Sequence, residues 1–201
     1  SELNDTRMIY ISTDSVFDGE KQGTYNEFDK VNPLNIYAKT KYLGEKSVKS
    51  INNGLILRVN IIGWTQKKKK SFAEMILINL IESQQLNLFN DVYFSPITVY
   101  DLSHIIIKIV KQPIIGIYHC GSKDNISKYD FGLKMAEIFQ LADSNIKKIS
   151  LDDMELRAIR PKNMALDVTK ISKALNINLP GFEDSIRLMK QQYDNNKNLL
   201  N

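Results

Sequence analysis

Tyr37 and Lys41 stand four residues apart in the stretch Tyr37-Ala38-Lys39-Thr40-Lys41, and Thr13 lies upstream in Ser12-Thr13-Asp14. On a helix, residues i and i+4 share a face, so the phenol and the ammonium project together. A free phenol ionises near pH ~10. A neighbouring ammonium favours the phenolate and draws that value toward working pH. Tyr37 is then placed to give a proton to a carbonyl oxygen that is becoming an alkoxide. Lys41 is placed to hold the ribose hydroxyls of a cofactor. Thr13 is placed to hydrogen-bond the same carbonyl and fix its orientation. This is equipment for moving a proton while a nicotinamide moves a hydride. Tyr and Lys at this spacing also occur on solvated helix faces with no chemistry, so the surrounding elements must decide.

Those elements read as follows. Arg7-Met8-Ile9-Tyr10-Ile11-Ser12 is a buried strand with Thr13 at its carboxyl end, where open α/β sheets place their active sites. Asn32 is expected to cap a helix over 34–51, with Pro33 in its first turn. Turns fall at Asp18-Gly19 and Gln22-Gly23. Gly44 and Ala38 lack bulk, which predicts close approach of another backbone. A second strand over 55–60 is apolar enough to be buried on both faces, as parallel strands are. Asn60, at its carboxyl end, suits ligand contact or a buried cap equally. Further strands are expected at 86–89, 116–120 and 146–149, with an extended stretch at 96–99. Helices are expected over 71–83, from an Asp101 cap to 110, over 128–139 behind a Ser127 cap, over 170–175 behind a Thr169 cap, and from 182 to 193, before a frayed polar tail. Alternating strands and helices imply an α/β fold.

Composition narrows the function classes. Of 201 residues, 43% are hydrophobic and 25% charged, an ordinary balance for a packed core. A net charge of +4 is too small to argue for nucleic acid. The dense basic run Lys67-Lys68-Lys69-Lys70 reads as a solvated loop, or as a mobile loop beside an anionic diphosphate. Cys120 is the single cysteine, so no disulfide forms within the chain, which fits a reducing cytoplasm. His104 and His119 read as structural, and no metal-ligand cluster is visible. No apolar run approaches the length of a membrane span. No Gly-rich dinucleotide loop occurs. The chain opens Ser1-Glu2-Leu3, without Met, which fits a piece of a longer protein. Such a piece is expected to bind dinucleotide weakly, to be inactive alone, and to present a bare apolar edge at its first strand.

Two blocks carry a resemblance. Ile11-Ser12-Thr13-Asp14-Ser15-Val16-Phe17-Asp18-Gly19 with Pro33-Leu34-Asn35-Ile36-Tyr37-Ala38-Lys39-Thr40-Lys41 and Gly44-Glu45 is the first. Arg160-Pro161-Lys162-Asn163 with Leu166-Asp167 and Leu179-Pro180 is the second. Together they resemble the extended short-chain dehydrogenase/reductase family, and within it the dTDP-4-dehydrorhamnose reductases and related sugar-nucleotide reductases. The resemblance covers the later two-thirds or so of a typical member. It implies the later part of a Rossmann-like doubly wound parallel sheet with a small C-terminal α/β substrate lobe. Residues 1–62 would be the catalytic part of a truncated Rossmann-like domain, and 63–201 the remaining strands, helices and lobe, intermixed. It implies NADPH or NADH as cofactor and a nucleotide-linked sugar as substrate; a homo-oligomer is compatible with it.

The family's catalytic Thr, Tyr and Lys fall on Thr13, Tyr37 and Lys41. Ser12 and Asn60 join Tyr37 and Lys41 as cofactor contacts. By the same resemblance Thr13, Asp14, Ser15, Phe17 and Arg160 would face the sugar nucleotide, Arg160 through a guanidinium suited to a diphosphate, with a surface salt bridge for Arg160 equally open. Asp14 as a turn cap and Phe17 as packing under the loop are equally open. The family usually has Tyr at Ser15 and often Trp at Ile61, so the reaction type carries over better than the sugar. Two rival readings share the motif: a non-catalytic binding subunit like the regulatory subunit of methionine adenosyltransferase, and a sugar-nucleotide epimerase or dehydratase.

Overall fold

The computed structural model describes residues 7–65 and 69–200. Ser1-Glu2-Leu3, and Lys67 and Lys68 of the basic run, lie outside the described residues. The elements, in chain order, are β1 (Met8–Thr13), α1 (Ile36–Lys49), β2 (Gly54–Val59), β3 (Ile61–Ile62), α2 (Phe72–Ile81), β4 (Leu86–Phe89), β5 (Tyr93–Phe94), β6 (Ile97–Thr98), α3 (Val99–Lys111), β7 (Gly116–Cys120), β8 (Ile126–Ser127), α4 (Lys128–Phe139), β9 (Ile146–Ile149), β10 (Asn163–Met164), α5 (Thr169–Leu175) and α6 (Phe182–Asn195). The main sheet is parallel, in the order β1-β2-β7. The fold is the α/β class that the alternation implies.

β2 is buried along its whole length. Its Leu55, Leu57 and Val59 join one core with Leu102, Ile105 and Ile109 of α3 and Ile171 and Leu175 of α5. Arg58, on the opposite face, is 1% exposed. Its charge is met by Glu45 of α1 through two bonds, Nε to Oε1 at 2.9 Å and Nη2 to Oε2 at 2.7 Å. The Ser12 hydroxyl donates to the same carboxylate at 2.6 Å. A buried charge pair holds only when its remaining donors and acceptors are also met. Here Arg58 Nη1 faces His119 Nε2 at 3.4 Å, and His119 Nδ1 faces the Tyr25 carbonyl at 3.0 Å.

A second core gathers α2, α4 and α6 around β4, with Phe131, Met135, Ile138 and Phe139 of α4 all buried. β4 pairs with β9 in parallel, and β5 lies between β10 and antiparallel β8. Elements after residue 62 thus serve both cores, since α3, β7 and α5 return to the main sheet.

Several local expectations need correction. The cap of α1 is Asn35, whose Oδ1 accepts from the Ala38 N–H at 3.0 Å. Asn32 instead donates from its amide to Asp18 at 3.2 Å, so Pro33 precedes the helix. Thr98, not Asp101, caps α3: its hydroxyl accepts from the Asp101 N–H at 3.0 Å. Val168 occupies the cap position of α5, and Asp167 accepts from the Thr169 N–H at 2.8 Å. α6 runs on to Asn195, and Leu200 packs against the second core rather than fraying. A Cβ on Gly44 would meet the side chain of Tyr10, so the close approach is that of a ring, not a backbone. Among the described residues β1 pairs with β2 alone, which leaves it the edge of the main sheet, with Met8 exposed.

Candidate active site

Two cavities open at the carboxyl ends of β1 and β2. The larger, of about 540 Å³, is lined by Ser15, Asn35, Tyr37, Asn60, Lys128 and Arg160 among others, with Phe89, Val92, Leu151 and Met164 as apolar wall. The smaller, of about 360 Å³, is lined by Ile11, Ser12, Thr13, Asp14, Tyr37, Lys41 and Ile61. Ser15, Tyr37 and Asn60 line both. Tyr37 is 60% exposed, so a ligand can reach it.

α1 sets the phenol and the ammonium. Asn35 fixes the first turn and also donates to the Ile159 carbonyl at 3.0 Å, which ties α1 to the loop carrying Arg160. One turn after Tyr37, Lys41 donates to the Ile11 carbonyl at 2.5 Å and lies 4.3 Å from the ring centroid of Tyr10. An ammonium has three donors. The bond to Ile11 leaves two for a ligand in the smaller cavity.

β1 ends in a tight polar turn. Thr13 caps it, accepting from the Ser15 N–H at 3.2 Å and donating to Asp14 Oδ1 at 3.1 Å. Asp14 also accepts from the Asn60 amide at 2.5 Å and the Ser15 hydroxyl at 3.3 Å. Burial raises the Asp14 carboxyl above its ordinary range, against the lowering effect of those three bonds and of the Lys128 charge. The Thr13 proton is therefore committed to Asp14, and reaching a carbonyl requires it to turn away.

The sequence-predicted residues separate here. Thr13, Asp14, Ser15, Tyr37, Lys41, Asn60 and Arg160 converge on the two cavities. Ser12 borders the smaller one, but its hydroxyl is used by Glu45. Phe17 lines neither. It is fully buried, stacked on Tyr25 at 4.1 Å between centroids, and acts as packing under the loop.

Lys128 was not anticipated. It is the first residue of α4 and lies half-buried, 4.2 Å from the ring centroid of Phe72 and 5.4 Å from that of Phe94. Burial lowers its pKa to about 8, opposed by Asp14 and reinforced by the Arg160 charge. A signal was available: a cation directly after the Ser127 cap sits at the positive end of a helix dipole, where it is unfavourable.

Residues 2–195 match the family model described as RmlD substrate binding domain. The chain belongs to this family. It is 26% identical over 190 residues to the probable low-salt glycan biosynthesis reductase Agl14 of Haloferax volcanii, covering 92% of this chain and 63% of that protein. It is 32% identical over 174 residues to methionine adenosyltransferase 2 subunit beta of Xenopus tropicalis, covering 83% of this chain and 52% of that one. Its fold superposes on dTDP-4-dehydrorhamnose reductase of Bacillus anthracis in complex with NADP, with a TM-score of 0.83 and 27% identity over 92% of this chain and 66% of that structure. Membership bears out both the resemblance and the Rossmann-like parallel sheet. This family member spans between half and two-thirds of the length of those relatives.

Proposed function

We propose that the chain is the catalytic and sugar-binding part of a reductase that uses NADPH or NADH on a nucleotide-linked keto-sugar. One observation carries the reading: the Tyr37 side chain stands in the wall common to both cavities. A proton donor in that position reaches a carbonyl presented from the larger cavity to a hydride donor in the smaller.

The smaller cavity suits the nicotinamide end of a dinucleotide, because it offers an ammonium with two free donors beside the Ser12 and Thr13 backbone. A nicotinamide bound there supplies the hydride. Proton donation and orientation of the carbonyl fall to this chain. Lys41 holds ribose hydroxyls and keeps positive charge beside the phenol. Thr13 turns its hydroxyl from Asp14 to the substrate carbonyl, and Asn60 and Ser15 keep the Asp14 carboxylate satisfied when it does so. Tyr37 gives its proton as the carbonyl oxygen becomes an alkoxide, so the ketone gains a hydride at carbon and a proton at oxygen. These contacts strengthen as charge develops, which is where binding accelerates a reaction. Arg160, exposed and lining the larger cavity, suits the diphosphate.

The resemblance to methionine adenosyltransferase 2 subunit beta favours a second reading, a binding subunit on the same fold. Turnover of NAD(P)H by the full-length protein, with a panel of nucleotide-linked keto-sugars, separates the two. Under the reductase reading, Tyr37→Phe lowers kcat by ~10²–10⁴-fold and leaves nucleotide binding nearly intact, since general acid catalysis is worth about that much. A Tyr37→Phe variant that keeps most of its turnover removes Tyr37 from its role. Wild-type protein that oxidises no NAD(P)H with any member of the panel favours the binding subunit.

A further inference from the structure

We propose that Lys128 is a specificity-determining residue that holds an anionic oxygen of the ligand in the larger cavity. The proposal rests on reading that cavity as a sugar-nucleotide site.

Three independent features meet at this side chain. First, the Lys128 ammonium has no hydrogen-bond or ion-pair partner among the described residues; the faces of Phe72 and Phe94 are what it rests on. Ring faces attract a cation but do not neutralise it. Second, Lys128 opens a 12-residue helix, so its charge adds to the positive end of the dipole instead of opposing it. The acid of that first turn, Asp130, keeps its charge and accepts the Ser127 hydroxyl at 2.6 Å, but it forms no ion pair with Lys128 among the described residues. Third, the cavity wall contains Lys69, Lys128 and Arg160 and no carboxylate among the described residues. The nearby Asp14 is already engaged by Asn60, Thr13 and Ser15.

A half-buried, unpaired cation among like charges costs the empty fold stability. A negatively charged ligand turns the same arrangement into a charge-assisted hydrogen bond in a partly dried site, where such bonds are strong. Lys128 feels the charges of both Asp14 and Arg160, and Arg160 follows Ile159, whose carbonyl takes the Asn35 amide at 3.0 Å. Two groups of a sugar nucleotide supply the anion: a phosphoryl oxygen of the diphosphate, or a carboxylate carried by the sugar ring.

The test is calorimetric titration of the protein and of Lys128→Met and Lys128→Arg. Each is titrated with the nucleoside, the nucleoside diphosphate, the diphosphoglucose and the diphosphoglucuronate, in both the thymidine and uridine series. Loss of one charge-assisted bond is expected to weaken binding by roughly ten- to hundredfold. A loss in Lys128→Met that already shows with the nucleoside diphosphate assigns the contact to phosphoryl. A loss confined to the glucuronate ligand assigns it to a sugar carboxylate. In either case Lys128→Arg keeps most of the affinity and the uncharged nucleoside is unaffected. Wild-type protein that binds these anions no more tightly than the nucleoside overturns the proposal, as does a Lys128→Met variant that binds them all like wild type. A structural role is tested in the same samples: without ligand, Lys128→Met is expected to melt no lower than wild type, and a clearly lower Tm overturns the proposal. Because no hydride transfer is read, a protein that binds anions through Lys128 yet reduces nothing refutes only the reductase.

Discussion

Arg58 can only donate, so the ring nitrogen of His119 that faces it, Nε2, must accept. Nδ1 therefore carries the ring proton and donates to the Tyr25 carbonyl. A second proton would set two donors against each other inside the core. Burial first, and then the Arg58 charge, hold the imidazole down to about pH 3, against an ordinary value of 6.5. In the unfolded chain the ring takes up its proton near the ordinary value, so between pH 6.5 and about 3 the unfolded state binds more protons. Stability contributed by the neutral ring is thus complete above that window and lost as pH falls through it, by at most about 1.4 kcal/mol per pH unit. His119→Gln keeps a donor and an acceptor but cannot titrate. Urea unfolding of both proteins at pH 7 and pH 4.5 should show the gap between them narrowing in acid. A gap that does not change with pH rules out His119 as the titrating group.

At the scale of elements, the loop that follows Thr13 is stitched to the segment after Arg160. Tyr25 pairs with Leu166, its N–H donating to the Ala165 carbonyl at 2.8 Å, and the Asn163 amide donates to the carbonyls of Lys21 and Gly23. Gly19, at φ +82°, is the tightest point: a Cβ there would lie 2.6 Å from the Lys162 nitrogen and 2.8 Å from that of Asn163. Gly23, at φ +78°, has open space around it. Gly19→Ala should cost about 2–4 kcal/mol, from backbone strain plus a clash that backbone cannot relieve, and Gly23→Ala only ~1 kcal/mol of strain. Equal costs in urea unfolding would show that the close approach carries no energy. The second sequence block that carried the family resemblance thus meets the first at Gly19 and, beyond it, the loop 21–25 between that block's two parts, a fact their separation along the chain hides. Legibility follows range. β4, β7 and α4 were readable to the residue because a local apolar pattern and a Ser cap define them. Asn35 and Thr98 were missed as caps because several polar residues compete near each helix start, and which side chain reaches the third amide is settled by tertiary contacts. Phe17 looked like a pocket residue because it follows Thr13 closely; its true partner, Tyr25, lies across the loop.

For the molecule as a whole, Cys120 offers a reporter. It ends β7 opposite Val59, fully buried, and burial pushes its thiol up to about 12. The thiolate is the reactive form, so a native chain at pH 8 presents almost none of it. Labelling by a thiol reagent should follow opening of the main sheet, and its rate should rise with urea in step with loss of structure. Fast labelling without denaturant would mean that β7 detaches from β2 well below the global transition. That matters because β7 is the neighbour of β2, which with β1 lines the smaller cavity, and β1 has one neighbour among the described residues.

The Glu45–Arg58 pair has a consequence for descent. Removing either partner alone strands a buried charge at a cost of ~3–5 kcal/mol, a large part of the 5–15 kcal/mol that typically separates folded from unfolded chains. Replacing both with apolar residues of similar volume is often harmless. Positions 45 and 58 are therefore coupled: relatives are expected to keep both charges or lose both, because each single substitution carries that cost. Ser12, which leans on the same carboxylate one residue before Thr13, ties that shared history to the chemical end of the sheet.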